Sequence, residues 1–129
     1  MKLKLLILLF GIVPILSNAQ NQTSQPIFQI GSGTSRIWAL DFRNEESARV
    51  DMSDFSKSNY LIKEFTVTVL SDRTKTYKTL KNVGNKLNDE VKNLFFTLKS
   101  NDTILIDGIA VTDPLGKTIY LSERIFKVR

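Results

Sequence analysis

YLIKEFTVTVL, from Tyr60 to Leu70, decides the fold class. In its second half Phe65, Val67 and Val69 alternate with Thr66 and Thr68, the period of two that a strand buried on one face requires. Leu61 and Ile62 fall on opposite faces, which predicts either cover on both sides or a bulge in the first half. The stretch reads as a central strand, and its apolar face needs partners from the rest of the chain.

Downstream, Ser71-Asp72-Arg73 reads as a turn, and Thr74 to Leu80 as a polar strand with only Tyr77 and Leu80 to bury. Lys75, Lys78 and Lys81 suit an edge strand guarded against further pairing. Asn88 to Leu98 is a helix: Asn88 is a favoured N-cap, Asp89 and Glu90 sit where the helix dipole favours negative charge, and Val91, Leu94, Phe95 and Leu98 follow helical spacing. That stripe is expected to close one end of the core. Asn101-Asp102 marks a turn into a strand from Thr103 to Val111, with Ile104 and Ile106 on one face and Gly108 at a bulge. Asp113-Pro114-Leu115-Gly116 is a hairpin turn, followed by strands at Thr118 to Leu121 and Arg124 to Val128 that direct Phe126 and Val128 inward.

Upstream, Ile37 to Phe42 alternates and reads as a strand with Trp38, Leu40 and Phe42 on its core face. Arg43 to Ala48 is a charged turn, Arg49 to Met52 a short strand carrying Val50 and Met52 on one face, and Asp54 to Asn59 a loop. Trp38, Phe65, Val67, Ile104, Ile106 and Phe126 are expected to share one core. Residues 20–35 are rich in Gln, Asn, Ser, Thr and Gly and read as a flexible linker, with ordered structure starting near Arg36. The apolar island Ile27, Phe28 and Ile30 within them leaves a short edge strand open as an alternative. Strands at this spacing, one short helix and no βαβ rhythm predict an all-β, immunoglobulin-like β-sandwich over residues 36–129.

Residues 1–19 read as a signal peptide. Lys2 and Lys4 precede the apolar run Leu5 to Val13, Pro14 breaks it, and Ser17-Asn18-Ala19 predicts cleavage between Ala19 and Gln20. Leu3 to Leu16 is shorter than the roughly 18 apolar residues of a membrane span, so no stable span is expected after processing. Removing Lys2 and Lys4 lowers the basic count from 18 to 16 against 13 acidic residues, a net charge of +3 rather than +5. The remaining basic residues are scattered among acidic ones, which argues against a nucleic-acid partner. The chain has no cysteine, so it has neither disulfides nor the lipid-anchoring residue of a lipoprotein.

With no histidine and no cysteine, Ser-His-Asp and Cys-His catalysis and the usual zinc sites are impossible. Two carboxylate pairs remain conceivable for glycoside hydrolysis, Asp51 with Asp54 and Asp102 with Asp107, but both sit beside turn signals where acids usually cap or face water. The acidic spacings do not match an EF-hand, and the glycines at 31, 33, 84, 108 and 116 form no phosphate loop. Asn21-Gln22-Thr23 and Asn101-Asp102-Thr103 have the form of glycosylation sequons, which matter only in a eukaryotic secretory host. No catalytic, cofactor-binding or metal-binding residue is assigned.

From about Arg49 onward a series of blocks resembles the C-terminal domain of GldM-type gliding-motility proteins, components of the type IX secretion machinery of Bacteroidetes. The blocks are Ala48-Arg49-Val50 with Phe55, then Ile62 to Val69, then Gly84-Asn85-Lys86-Leu87 leading into Asp89 to Leu98. Asn101-Asp102 with Ile104 and Ile106 follows, and Ile109, Pro114, Gly116, Leu121 and Phe126-Lys127-Val128 complete the series. The resemblance implies a β-sandwich that works by contact with other envelope proteins, without enzyme activity or cofactor. A cleavable signal stands where the full-length family protein has a membrane anchor, and that protein's other periplasmic domains are not expected here.

The sequence therefore predicts a non-enzymatic interaction module, located in the periplasm or secreted, whose partner is another envelope protein. The alternative is a small secreted carbohydrate-active domain, for which Trp38, Tyr60, Tyr77 and Tyr120 would have to form an exposed aromatic platform.

Overall fold

In the computed structural model, which describes residues 24–31, 36–54 and 58–129, the elements run β1 (Pro26–Gln29), β2 (Arg36–Ile37), α1 (Ala39–Arg43), β3 (Arg49–Met52), β4 (Leu61–Leu70), β5 (Tyr77–Val83), α2 (Asp89–Phe96), β6 (Thr103–Thr112), β7 (Thr118–Leu121) and β8 (Arg124–Val128). One sheet has the order β2-β8-β6-β4-β5, with β7 also pairing β6, and a second consists of β1 and β3. The result is a mostly β sandwich in which the smaller sheet and both helices cover one face of the larger.

The alternation in β4 is realised as read: Phe65, Val67 and Val69 are buried, and Thr66 and Thr68 lie on the opposite, half-exposed face. Register shifts against β6 fall between Ile62 and Glu64 and between Glu64 and Thr66, so the irregular first half does bulge. Gly108 sits opposite this irregularity at φ 58°, a conformation a side-chain-bearing residue resists. β6, next to β4 in the interior of the sheet, is paired to β4 along one side and to β8 and then β7 along the other.

The inner face of the large sheet carries Phe65, Val67, Ile104, Ile106, Phe126 and Val128, and Phe28 of β1, Val50 of β3, Phe42 of α1 and Val91, Leu94 and Phe95 of α2 close over it. Phe28 meets Phe65 edge-on with ring centroids 4.9 Å apart, while Phe42 lies 5.0 Å from Phe95 and 5.4 Å from Phe126. α2 starts where its caps predict, with the Asn88 side chain accepting the Val91 N–H at 2.8 Å. Its apolar stripe, Leu98 included, is buried and so closes the core.

Three expectations are corrected. Trp38 is not a core residue. Only Arg36–Ile37 is strand; Trp38 caps α1, and the helical turn sends Trp38 (59% exposed) and Leu40 to solvent while Phe42 points inward. The Asp41 carboxylate accepts the Trp38 backbone N–H, and the Arg43 guanidinium donates to the Leu98 carbonyl. A five-residue helix has little stability alone, so it is the packing of Phe42 between Phe95 and Phe126 that overrides the alternation.

Tyr77 is likewise exposed rather than buried: residues 71–76 form the turn, β5 begins only at Tyr77, and the register pairs it with Leu70 on the outer face of the sheet. Lys75 takes the left-handed conformation within that turn, at φ 57°. Finally, Ile27, Phe28 and Ile30 belong to a packed segment, with β1 paired to β3 and Phe28 and Ile30 buried, so ordered structure begins before Arg36. Residues 1–19, the cleavage point at Ala19 and Gln20, and Ser32 to Ser35 lie outside the described residues.

Candidate interaction surface

Of the acidic residues singled out from the sequence, Asp51 and Asp102 serve as local anchors. Asp51 on β3 pairs with Arg49 at 3.1 Å, and the backbone N–H of Asp54 in the following turn donates to Ser24. Asp102 is buried and accepts the backbone N–H groups of Asp72 and Lys99, each at 2.9 Å, which ties the β4–β5 turn to the segment entering β6. Asp107 is five residues further along, on the opposite side of the strand, about 16 Å away at the usual strand rise. These two carboxylates do not face each other.

The aromatic side chains are dispersed. Trp38 has the Arg129 guanidinium 5.8 Å from its ring centroid. Tyr60 and Tyr120 line a cleft of about 440 Å³ with Phe28, Ile119 and Arg124, a lining that includes neither Trp38 nor Tyr77. Burial lowers the pKa of the Arg124 guanidinium, which is held by the Phe28 carbonyl at 2.8 Å and by Gln29.

Among the described residues, no element covers the outer face of the large sheet. Leu70, Tyr77, Leu105 and Ile125 gather there with Thr68 and Thr103 around an almost wholly apolar depression of about 320 Å³. Beside it, β5 ends the sheet as the sequence predicts of an edge strand. A groove of about 400 Å³ runs between this edge and α2, lined by Val69, Tyr77, Lys78, Glu90, Asn93 and Leu94 among others.

Asn82 holds the two walls of that groove together, and sequence reasoning missed it. It is fully buried on the inner face of β5, donates to the carbonyls of Gly84 and Lys86 at 3.1 and 3.0 Å, and accepts the Asn88 N–H at 2.8 Å. Asn88, the N-cap of α2, in turn donates to the Lys81 carbonyl. Two ion pairs brace nearby loops: hydrogen bonding from Lys92 holds the Glu46 carboxyl below its ordinary pKa, and Lys75 does the same for Asp72.

The family model of the GldM C-terminal domain matches residues 16–129. The chain belongs to this family. The GldM-type match reaches further toward the N-terminus than the blocks legible from Arg49 onward, and so takes in β1, whose Phe28 packs on Phe65. The block Gly84-Asn85-Lys86-Leu87 is the loop gathered around Asn82, and Phe126-Lys127-Val128 lies in β8 against β6. No curated protein matches the chain.

Proposed function

We propose that this GldM-type domain is an exported, non-enzymatic protein-interaction module of the bacterial cell envelope, associated with gliding motility or type IX secretion and working by contact with another envelope protein. Membership of the GldM C-terminal domain family carries this reading. It is supported by the character of the surface, where an apolar depression and an edge-strand groove lie side by side while Asp51 and Asp102 are taken up in local anchoring. Among the described residues no helix is long and apolar enough to cross a membrane. The chain is processed between Ala19 and Gln20, and the mature domain resides in the periplasm or is secreted.

Site-specific photocrosslinking in the native cell tests the reading, with the reactive residue placed in turn at Thr79 on the edge, Ile125 on the open face and Tyr120 in the cleft. A covalent adduct with an envelope protein from at least one position is expected. Absence of an adduct from all three, with the protein folded and exported, would refute it. The intact mass of the protein from the same cells should correspond to a chain beginning at Gln20.

A further inference from the structure

The pairing of β5 shows which of its backbone groups are free. The Ser71 N–H donates to the Thr76 carbonyl and the Gly84 N–H to the Lys63 carbonyl, so the residue pairs at both ends of the β4–β5 ladder are hydrogen-bonded. Antiparallel pairs alternate, which makes Val69–Lys78, Val67–Leu80 and Phe65–Asn82 bonded pairs and Leu70–Tyr77, Thr68–Thr79 and Thr66–Lys81 non-bonded ones. The 2.9 Å contact between the Thr68 and Thr79 hydroxyls fits the closer side-chain approach of a non-bonded pair. The N–H and C=O groups of Tyr77, Thr79 and Lys81 therefore point away from the sheet. Of these, the Lys81 carbonyl is taken by Asn88 Nδ2 at 3.1 Å, and the groups of Tyr77 and Thr79 have no partner among the described residues.

Unused backbone donors and acceptors beside a groove match an extended segment that adds as a further strand. One row of its side chains would enter the groove over Leu94, and the other would lie along Tyr77 beside the apolar depression. Charge narrows the choice. Lys75 is paired with Asp72 and Lys81 with Glu64, whereas Lys78, which lines the groove, has no acidic partner among the described residues. Glu90 stands on the helix wall of the same groove, so the wall at α2 disfavours a second acid. Edge lysines repel unselected cationic strands but attract a strand that carries a matching carboxylate.

We propose that the β5 edge, with the groove between it and α2, receives an extended, carboxylate-bearing segment of a partner envelope protein as an added β-strand. This rests on the interaction-module reading and names the site and the chemistry of the partner. The probe is a short synthetic peptide in which valine, glutamate and valine alternate with threonines, compared with its lysine-for-glutamate counterpart, against the full chain from its native host. The glutamate peptide should slow amide exchange at Tyr77 and Thr79 by at least about tenfold, since a new ladder bond must open before exchange. The lysine peptide should bind at least about tenfold more weakly, and Lys78→Glu should reverse the preference.

Thr79→Pro removes an outward N–H that β4 does not use, so it should abolish binding with the ladder to β4 kept. Should that variant fail to fold, the Lys78→Glu reversal carries the test. Binding that persists in a folded Thr79→Pro protein, equal affinity for the two peptides, or protection at Leu105 and Ile125 instead of β5 would overturn the proposal. Crosslinking through Ile125 or Tyr120 alone would likewise remove the edge site while leaving the interaction-module reading intact.

Discussion

Asn82→Ala tests whether a single buried amide holds the β5–α2 connection. The side chain has no exposed surface and makes three hydrogen bonds, to the Gly84 and Lys86 carbonyls and from the Asn88 N–H. At a net value of about 1 kcal/mol per bond, their loss should cost about 3 kcal/mol. For a domain of this size that corresponds to a fall in Tm of about 12 to 24 °C. Asn82→Asp should be at least as damaging, because it keeps the acceptor for Asn88 but turns oxygen toward two carbonyl oxygens. Asn93→Ala on the exposed side of α2 is the control and should stay within about 0.5 kcal/mol. Thermal unfolding followed by circular dichroism measures all three, and amide exchange at Val91 should quicken in Asn82→Ala as the N-cap loosens. A loss below about 1 kcal/mol would refute the assignment, since it would place Asn82 among ordinary surface positions.

Three further outcomes are expected. Leu94→Asp puts an unpaired charge against Val91 and the core, and should lower stability by about 3 kcal/mol or more in a urea titration; a variant melting within about 2 °C of the parent would show that α2 does not close the core. Trp38→Ala should cost no more than about 1 kcal/mol, because the ring is largely exposed beneath Arg129, whereas Phe65→Ala should cost about 3 to 5 kcal/mol; comparable losses would restore Trp38 to the core. The chain has no histidine, so the denaturation midpoint should be flat between about pH 5.5 and 7. Glu46 and Asp72 have folded pKa values below their unfolded ones, so their contribution is complete above the unfolded carboxylate range and is lost as pH falls through the folded values. Replacing Lys75 and Lys92 with Met should flatten part of that acid limb, and an unchanged limb would show that the two pairs contribute nothing.

The absence of histidine and cysteine rules out Ser-His-Asp and Cys-His catalysis and the usual zinc sites whatever the fold, so that exclusion was legible in the sequence alone. The surface that could meet a partner was not legible in the same way. Lys75, Lys78 and Lys81 marked β5 as an edge, but which lysine lacks a counter-charge depends on Asp72 and Glu64 lying beside the other two. Asn82 carries no sequence signal, since its burial follows from standing opposite Phe65 in the register of two strands.

The sequence alone determined those elements whose signals are local. β4 followed from its alternation, α2 from its N-cap and apolar spacing, and the bulge in β6 from Gly108, because burial period, capping and positive φ act within a few residues. Tertiary structure decided the short apolar runs. Ile37 to Phe42 is compatible with either a strand or a helical turn, and the choice was made by Phe95 and Phe126, which are distant in sequence and enclose Phe42 only once the sheet has formed. Phe28 likewise becomes core only when Phe65 is beside it, and the edge of β5 is open because no strand among the described residues pairs with its outer side.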